Sequence, residues 1–138
     1  MVQRAAEQLE LELRLAAGWR KNADLTWRAI EWVFGDEVLG LHLEPLKSVD
    51  KRRAGLPEQR PAYRIQRFVP AWYAGGNHVA RSVGLRKGDI VVKINCHEPP
   101  QTMSRLLAWS VQETEAGETV VLDVLRGQER KKFSLPLK

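Results

Sequence analysis

Residues 83–95 read V-G-L-R-K-G-D-I-V-V-K-I-N, a helix stop, a tight turn and a strand in direct succession. Gly84 stands where a short helix ends in a left-handed residue, and Leu85 follows as an apolar plug. Lys87-Gly88-Asp89 supplies the turn that launches a strand from Ile90 to Ile94, which Asn95 closes. Such a run fixes backbone shape and carries no reactive constellation, so it points to binding rather than catalysis.

Outward from this stretch, G-E-T-V-V-L-D-V-L-R-G at 117–127 and K-F-S-L-P-L at 132–137 read as paired closing strands. Between the two blocks, Pro99-Pro100 breaks the chain ahead of a helix that starts at Thr102 or Met103 and ends near Gln112. Leu107 and Val111, four apart, are expected on its core face, with Met103, Leu106 and Ser110 on the adjoining one. Upstream, Asn77 can cap a short helix over 78–83, and 62–69 reads as a strand. Ser48 is placed to cap a helix that ends near Gly55, and 37–46 is expected to be a strand with Pro45 at an edge or an end.

Three blocks of these residues resemble the PDZ domain family. Residues 84–95 match the G-L-x-x-G-D-x-I-x-x-I-N segment of its bacterial members, and 117–127 match its G-[DE]-T-V-x-L-x-V-x-R-x-G strands. Leu39-Gly40-Leu41 matches its apolar-Gly-apolar loop. The order of the blocks suits the circularly permuted bacterial type, and R-A-G-L-P at 53–57 is similar to the helix-and-turn insert of high-temperature-requirement serine proteases. The resemblance implies a mainly β fold with two or three short helices, a PDZ-like partly open barrel of five or six strands over about residues 38–137. It also implies a peptide- or protein-binding module cut from a larger bacterial protein, and an extracytoplasmic, periplasmic setting.

Composition is that of an ordinary soluble domain. Of 138 residues, 43% are hydrophobic and 28% charged, within reach of one core, and the apolar runs are too short to span a bilayer. M-V-Q-R-A-A-E-Q lacks the basic segment and apolar core of a secretion signal. A single cysteine, Cys96, excludes an internal disulfide. The formal charge of +5, from 22 Lys and Arg against 17 Asp and Glu, favours acidic partners. The basic runs at 51–53 and 130–132 have no interleaved aromatics, which argues against nucleic acid.

Residues 1–36 stand apart as an N-terminal strand and a tryptophan-rich connector, or the end of an upstream domain, before a PDZ-like unit over 37–138. In 8–15, Leu9, Leu11, Leu13 and Leu15 alternate with polar residues as in a half-buried strand. At about 1.5–3 kcal/mol per buried side chain, that row must pack on this domain, on a second copy in a homodimer, or on a preceding domain. Trp19, Trp27 and Trp32 follow in the connector.

The functional candidate is Val38-Leu39-Gly40-Leu41, because Gly40 lets successive N–H groups turn into one concavity suited to an anion. In the family that site takes a peptide's C-terminal carboxylate. The implied site comprises Leu39, Gly40, Leu41, His42 and Leu43 with Met103, Leu106 and Ser110 across the groove. There a C-terminal or extended apolar segment adds as a strand between strand 41–46 and helix Met103–Gln112. Asp36 and Glu37 precede the loop where many relatives carry a basic residue, which makes internal apolar segments or an interdomain contact credible ligands. The alternative is a structural or dimerisation module whose groove is filled by its own N-terminal segment or by a second copy. His42, His78 and His97 have no metal-ligand spacing, and no serine sits in a nucleophile elbow. No metal, cofactor or enzymatic activity is therefore expected. Asp89 is read as a turn carboxylate, Cys96 as a turn residue or a buried thiol, and Trp72 and Tyr73 as a packed or partner-contacting pair.

Overall fold

Alternation of buried and exposed residues builds most of the sheet: in Thr119–Arg126, Val120, Leu122 and Val124 are buried on one face while Leu125 turns to the other. The computed structural model describes residues 2–4, 7–9, 14, 37–69 and 78–137. Two short strands, β1 (Val2–Arg4) and β2 (Glu7–Leu9), form a separate antiparallel pair. The expected strand over 8–15 is seen only as far as Leu9. Arg14 lies outside any strand, and Leu11, Leu13, Leu15 and the three connector tryptophans lie outside the described residues.

The main sheet runs β3 (Glu37–Val38), β4 (Leu41–Pro45), β5 (Tyr63–Phe68), β6 (Ile90–Ile94), β7 (Thr119–Arg126) and β8 (Glu129–Pro136), in chain order and antiparallel throughout. It is open, with β3 and β8 at its ends. Residues 37–46 are thus two strands folded on a two-residue turn, where a single strand was expected. Between β4 and β5 the register slips after His42, leaving Gln66 as a bulge.

Helix α1 (Ser48–Arg53) has Lys47 at its N-cap position with no side-chain capping bond, and Ser48, expected as the cap, is its first residue. Its end follows the expected glycine stop: Gly55 has φ +67, and the Leu56 N–H donates to the Lys51 carbonyl. That turn drives Leu56 into a small core with Leu46, Ala62, Val92 and Leu125. The principal core lies on the other face, where Tyr63, Ile65, Val91, Leu122 and Leu135 pack with helix α2 (Met103–Gln112). A short 3-10 helix, His78–Arg81, sits against β5 and β8.

Candidate functional site

The residues that read most clearly in the sequence form the scaffold. Gly84 has φ +99, which favours glycine, and a Cβ there would lie 3.2 Å from Phe133 Cε1, close enough to press on that ring. Asp89, 1% exposed, accepts from the Arg86 N–H at 2.9 Å, the turn role expected of it. It also takes a two-pronged ion pair from Arg126, Nε to Oδ1 and Nη2 to Oδ2, each at 2.8 Å. Arg126 Nη2 donates as well to the Gly84 carbonyl at 2.9 Å, and its guanidinium lies 5.5 Å from the centre of the Phe133 ring. Hydrogen bonding to Asp89 raises the Arg126 pKa above the ordinary arginine value. One arginine therefore ties the two sequence blocks together. Its partner lies 37 positions away, and sequence reasoning missed the pair.

Asn95 joins the same frame. Its backbone N–H donates to the Val121 carbonyl, its side-chain oxygen accepts from the Val121 N–H, both at 2.8 Å, and its φ is +48. Cys96 follows at φ +67 and is exposed: it is a turn residue, and the buried-thiol reading is corrected. A left-handed position of this kind is one that glycine adopts without the steric cost other residues carry.

The Leu39-Gly40 loop is tighter than the concavity expected of it. Val38 pairs directly with Leu41, and both intervening residues have positive φ, +57 and +80, as a type I′ hairpin turn requires. For leucine that conformation costs about 1–2 kcal/mol. The Gly40 carbonyl accepts from the Val69 N–H at 3.1 Å, and the Leu46 N–H reaches the Ala62 carbonyl at 2.8 Å. Even-numbered residues of β4 therefore point their backbone groups towards β5, and Leu41, Leu43 and Pro45 point theirs to the outer edge. Leu41 meets Val38 there. Leu43 has no strand partner on that edge among the described residues, and Pro45 brings a carbonyl but no N–H.

Across the gap, α2 begins at Thr102, whose hydroxyl accepts from the Arg105 N–H at 3.3 Å. The helix packs against β3. Its core face is set by Met103 and Leu106, both buried, with Leu107 and Trp109 half-buried beside them. Of the two residues expected on the core face, Leu107 packs against the core, whereas Val111 is 73% exposed and that expectation is corrected. The half-buried Ser110 donates to the Leu107 carbonyl of its own helix at 2.8 Å. Of the eight anticipated site residues, Leu41, Leu43, Met103 and Leu106 join the core and Gly40 is buried in its turn. Leu39, His42 and Ser110 stay half-exposed. Trp72, Tyr73, Asn77 and Asp36 lie outside the described residues.

This strand order, with one long helix on the principal core and a short one beside β5, is a PDZ-like fold of the HtrA type. Two structures of the HtrA-type protease AlgW with a decapeptide match it at 19% identity, with TM-scores of 0.56 and 0.50. They cover 71% of this chain, which spans only 27% of the protease chain. The HtrA3 PDZ domain bound to a phage-derived ligand matches at 24% identity and a TM-score of 0.51, covering 72% of this chain and 84% of that domain. No protein-family profile and no curated protein sequence matches the chain. The resemblance is to a binding module, in structures that carry a peptide, and not to a protease catalytic domain.

Proposed function

We propose that the domain binds an extended or C-terminal peptide segment as an added strand along the outer edge of β4, between strand 41–46 and α2. The observation that carries this reading is the asymmetry of β4. One edge is paired with β5 along its length, whereas on the other β3 covers only Leu41 and His42. The outward N–H and C=O of Leu43 are then the backbone anchors, and Leu39 and Ser110 flank the ligand's side chains. Two hydrogen bonds and a half-buried apolar wall support affinity of micromolar order, about 8 kcal/mol. The turn N–H groups of Leu39 and Gly40 receive a terminal carboxylate if the ligand has one. The same likeness supports a place within a larger bacterial, extracytoplasmic protein.

A second reading has its own support. β3 pairs with Leu41 and His42 and is the strand that α2 packs on, so the chain's own residues take up part of the place where a ligand strand would add. In that reading the module is structural. A screen of C-terminal and internal peptides followed by amide chemical-shift mapping separates the two: shifts centred on Leu39, Leu43 and Ser110 support peptide binding, and no binder in either library supports self-occupation.

A further inference from the structure

A second sheet edge opens on the far side of β5. β6 pairs only with Tyr63 and Arg64, and the Ile65 backbone closes on the turn before β6, where its N–H meets the Asp89 carbonyl and its carbonyl the Gly88 N–H. Beyond Ile65 that side of β5 has no strand among the described residues. Because the Val69 N–H points to Gly40 on β4, the backbone groups of Phe68 point the other way, into an open cleft of about 400 Å³.

The cleft has an apolar floor and a cationic rim. Leu85, 2% exposed, and half-buried Phe68 form the floor, with Arg81 stacked 5.0 Å from the centre of the Phe68 ring. Arg67, Arg81, Arg86 and Lys87 are all exposed and line the rim, and none is in an ion pair among the described residues. Elsewhere, Arg53, Arg60, Arg64, Arg126, Lys131 and Lys132 each sit beside a carboxylate. Of the carboxylates near the cleft, Asp89 is paired with Arg126, whereas Glu44 accepts from the neutral amide of Gln66 and keeps its charge, one against four. Four cations with no ion pair among the described residues, against the one charge of Glu44, repel one another around an apolar floor and favour an added anion.

We infer that this cleft docks an acidic, extended segment of a partner protein, in which carboxylates alternate with apolar residues. The edge at Phe68, which no strand covers among the described residues, suits an extended backbone, alternate side chains match the floor and the rim, and the site is separate from the outer edge of β4. A nucleic-acid strand fits less well, since Phe68 is the single aromatic among the residues lining the cleft and Arg81 already lies over one face of its ring, which leaves no run of rings on which successive bases can stack.

The test uses the full chain and a blocked peptide of alternating leucine and glutamate, acetylated and amidated so that it has no terminal carboxylate, beside its leucine–glutamine counterpart. Titration calorimetry should show the glutamate peptide binding roughly tenfold or more tightly than the glutamine one, with affinity falling as salt rises. Each exposed cation removed should weaken it about two- to fivefold, so the double variant Arg67→Gln, Arg86→Gln, with unchanged melting, should lose most of the binding. Equal affinity for both peptides, or glutamate-peptide binding untouched by the double variant, overturns the inference. So does binding to phosphatidylserine vesicles with none to the peptide.

Discussion

Asp89 and Leu39 both sit at tight turns, and they differ in what their surroundings leave unfinished. At Asp89 both carboxylate oxygens and the guanidinium facing them are engaged, with Gly84 and Phe133 packed alongside. At Leu39 an apolar residue is held in a left-handed conformation, and four residues further on the outward strand position at Leu43 lacks a partner among the described residues. On the proposed reading, the contrast separates groups that hold the fold from groups that take up a ligand, because buried polar groups are satisfied internally while a binding edge keeps open valences.

If Asp89 belongs to the scaffold, Asp89→Ala should give the largest loss of stability, about 3 kcal/mol by denaturant unfolding, since it strands Arg126 and the Arg86 N–H. Peptide affinity per folded molecule should not change. The raised Arg126 pKa adds no pH dependence in the neutral range: an arginine whose folded pKa exceeds its unfolded one stabilises fully below the unfolded value. That contribution is lost only as pH rises through the folded one, so the wild-type melting temperature should show no loss from this pair between neutral and moderately alkaline pH. Gly84→Ala should cost less, about 1–2 kcal/mol by thermal melting, from a positive φ and a methyl pressed on Phe133.

On the other side of the comparison, Leu39→Gly should barely move the melting temperature. Relief of about 1 kcal/mol of backbone strain offsets a similar loss of half-buried surface. Peptide affinity should nevertheless fall several-fold, and a large loss of stability with intact binding would make Leu39 a core residue. The smallest effect is expected of Pro45→Ala, which restores an N–H on the outer edge of β4 and should tighten an extended ligand by a factor of about two to five.

Sequence made the scaffold legible wherever the determinants are local. Turn glycines, the alternation in β7 and the Asp89 turn are each decided by neighbours a few positions away. The Asp89–Arg126 pair was invisible because its members are 37 residues apart, although a lone arginine ending an apolar strand was a signal that some carboxylate must meet it. The hairpin at Leu39-Gly40 was read as one strand because nothing in a leucine announces positive φ, and the usual Asn-Gly signature is absent. In α2, Met103, Leu106, Leu107, Ser110 and Val111 satisfy two adjoining helical faces equally well, and the packing on β3 decides between them. The rim of the β5 cleft gathers Arg67, Arg81, Arg86 and Lys87 from three segments, so no single window of sequence contained it.

The most direct test of the central claim is amide hydrogen exchange at Leu43, measured with and without the tightest peptide from a displayed library. Strand addition on β4 predicts that the Leu43 N–H exchanges rapidly in the free domain and becomes protected by the peptide, while the Glu44 N–H, which points towards β5, is protected in both states. Peptide binding that leaves Leu43 exchange unchanged, or a Leu43 N–H already protected in the free domain, would contradict it.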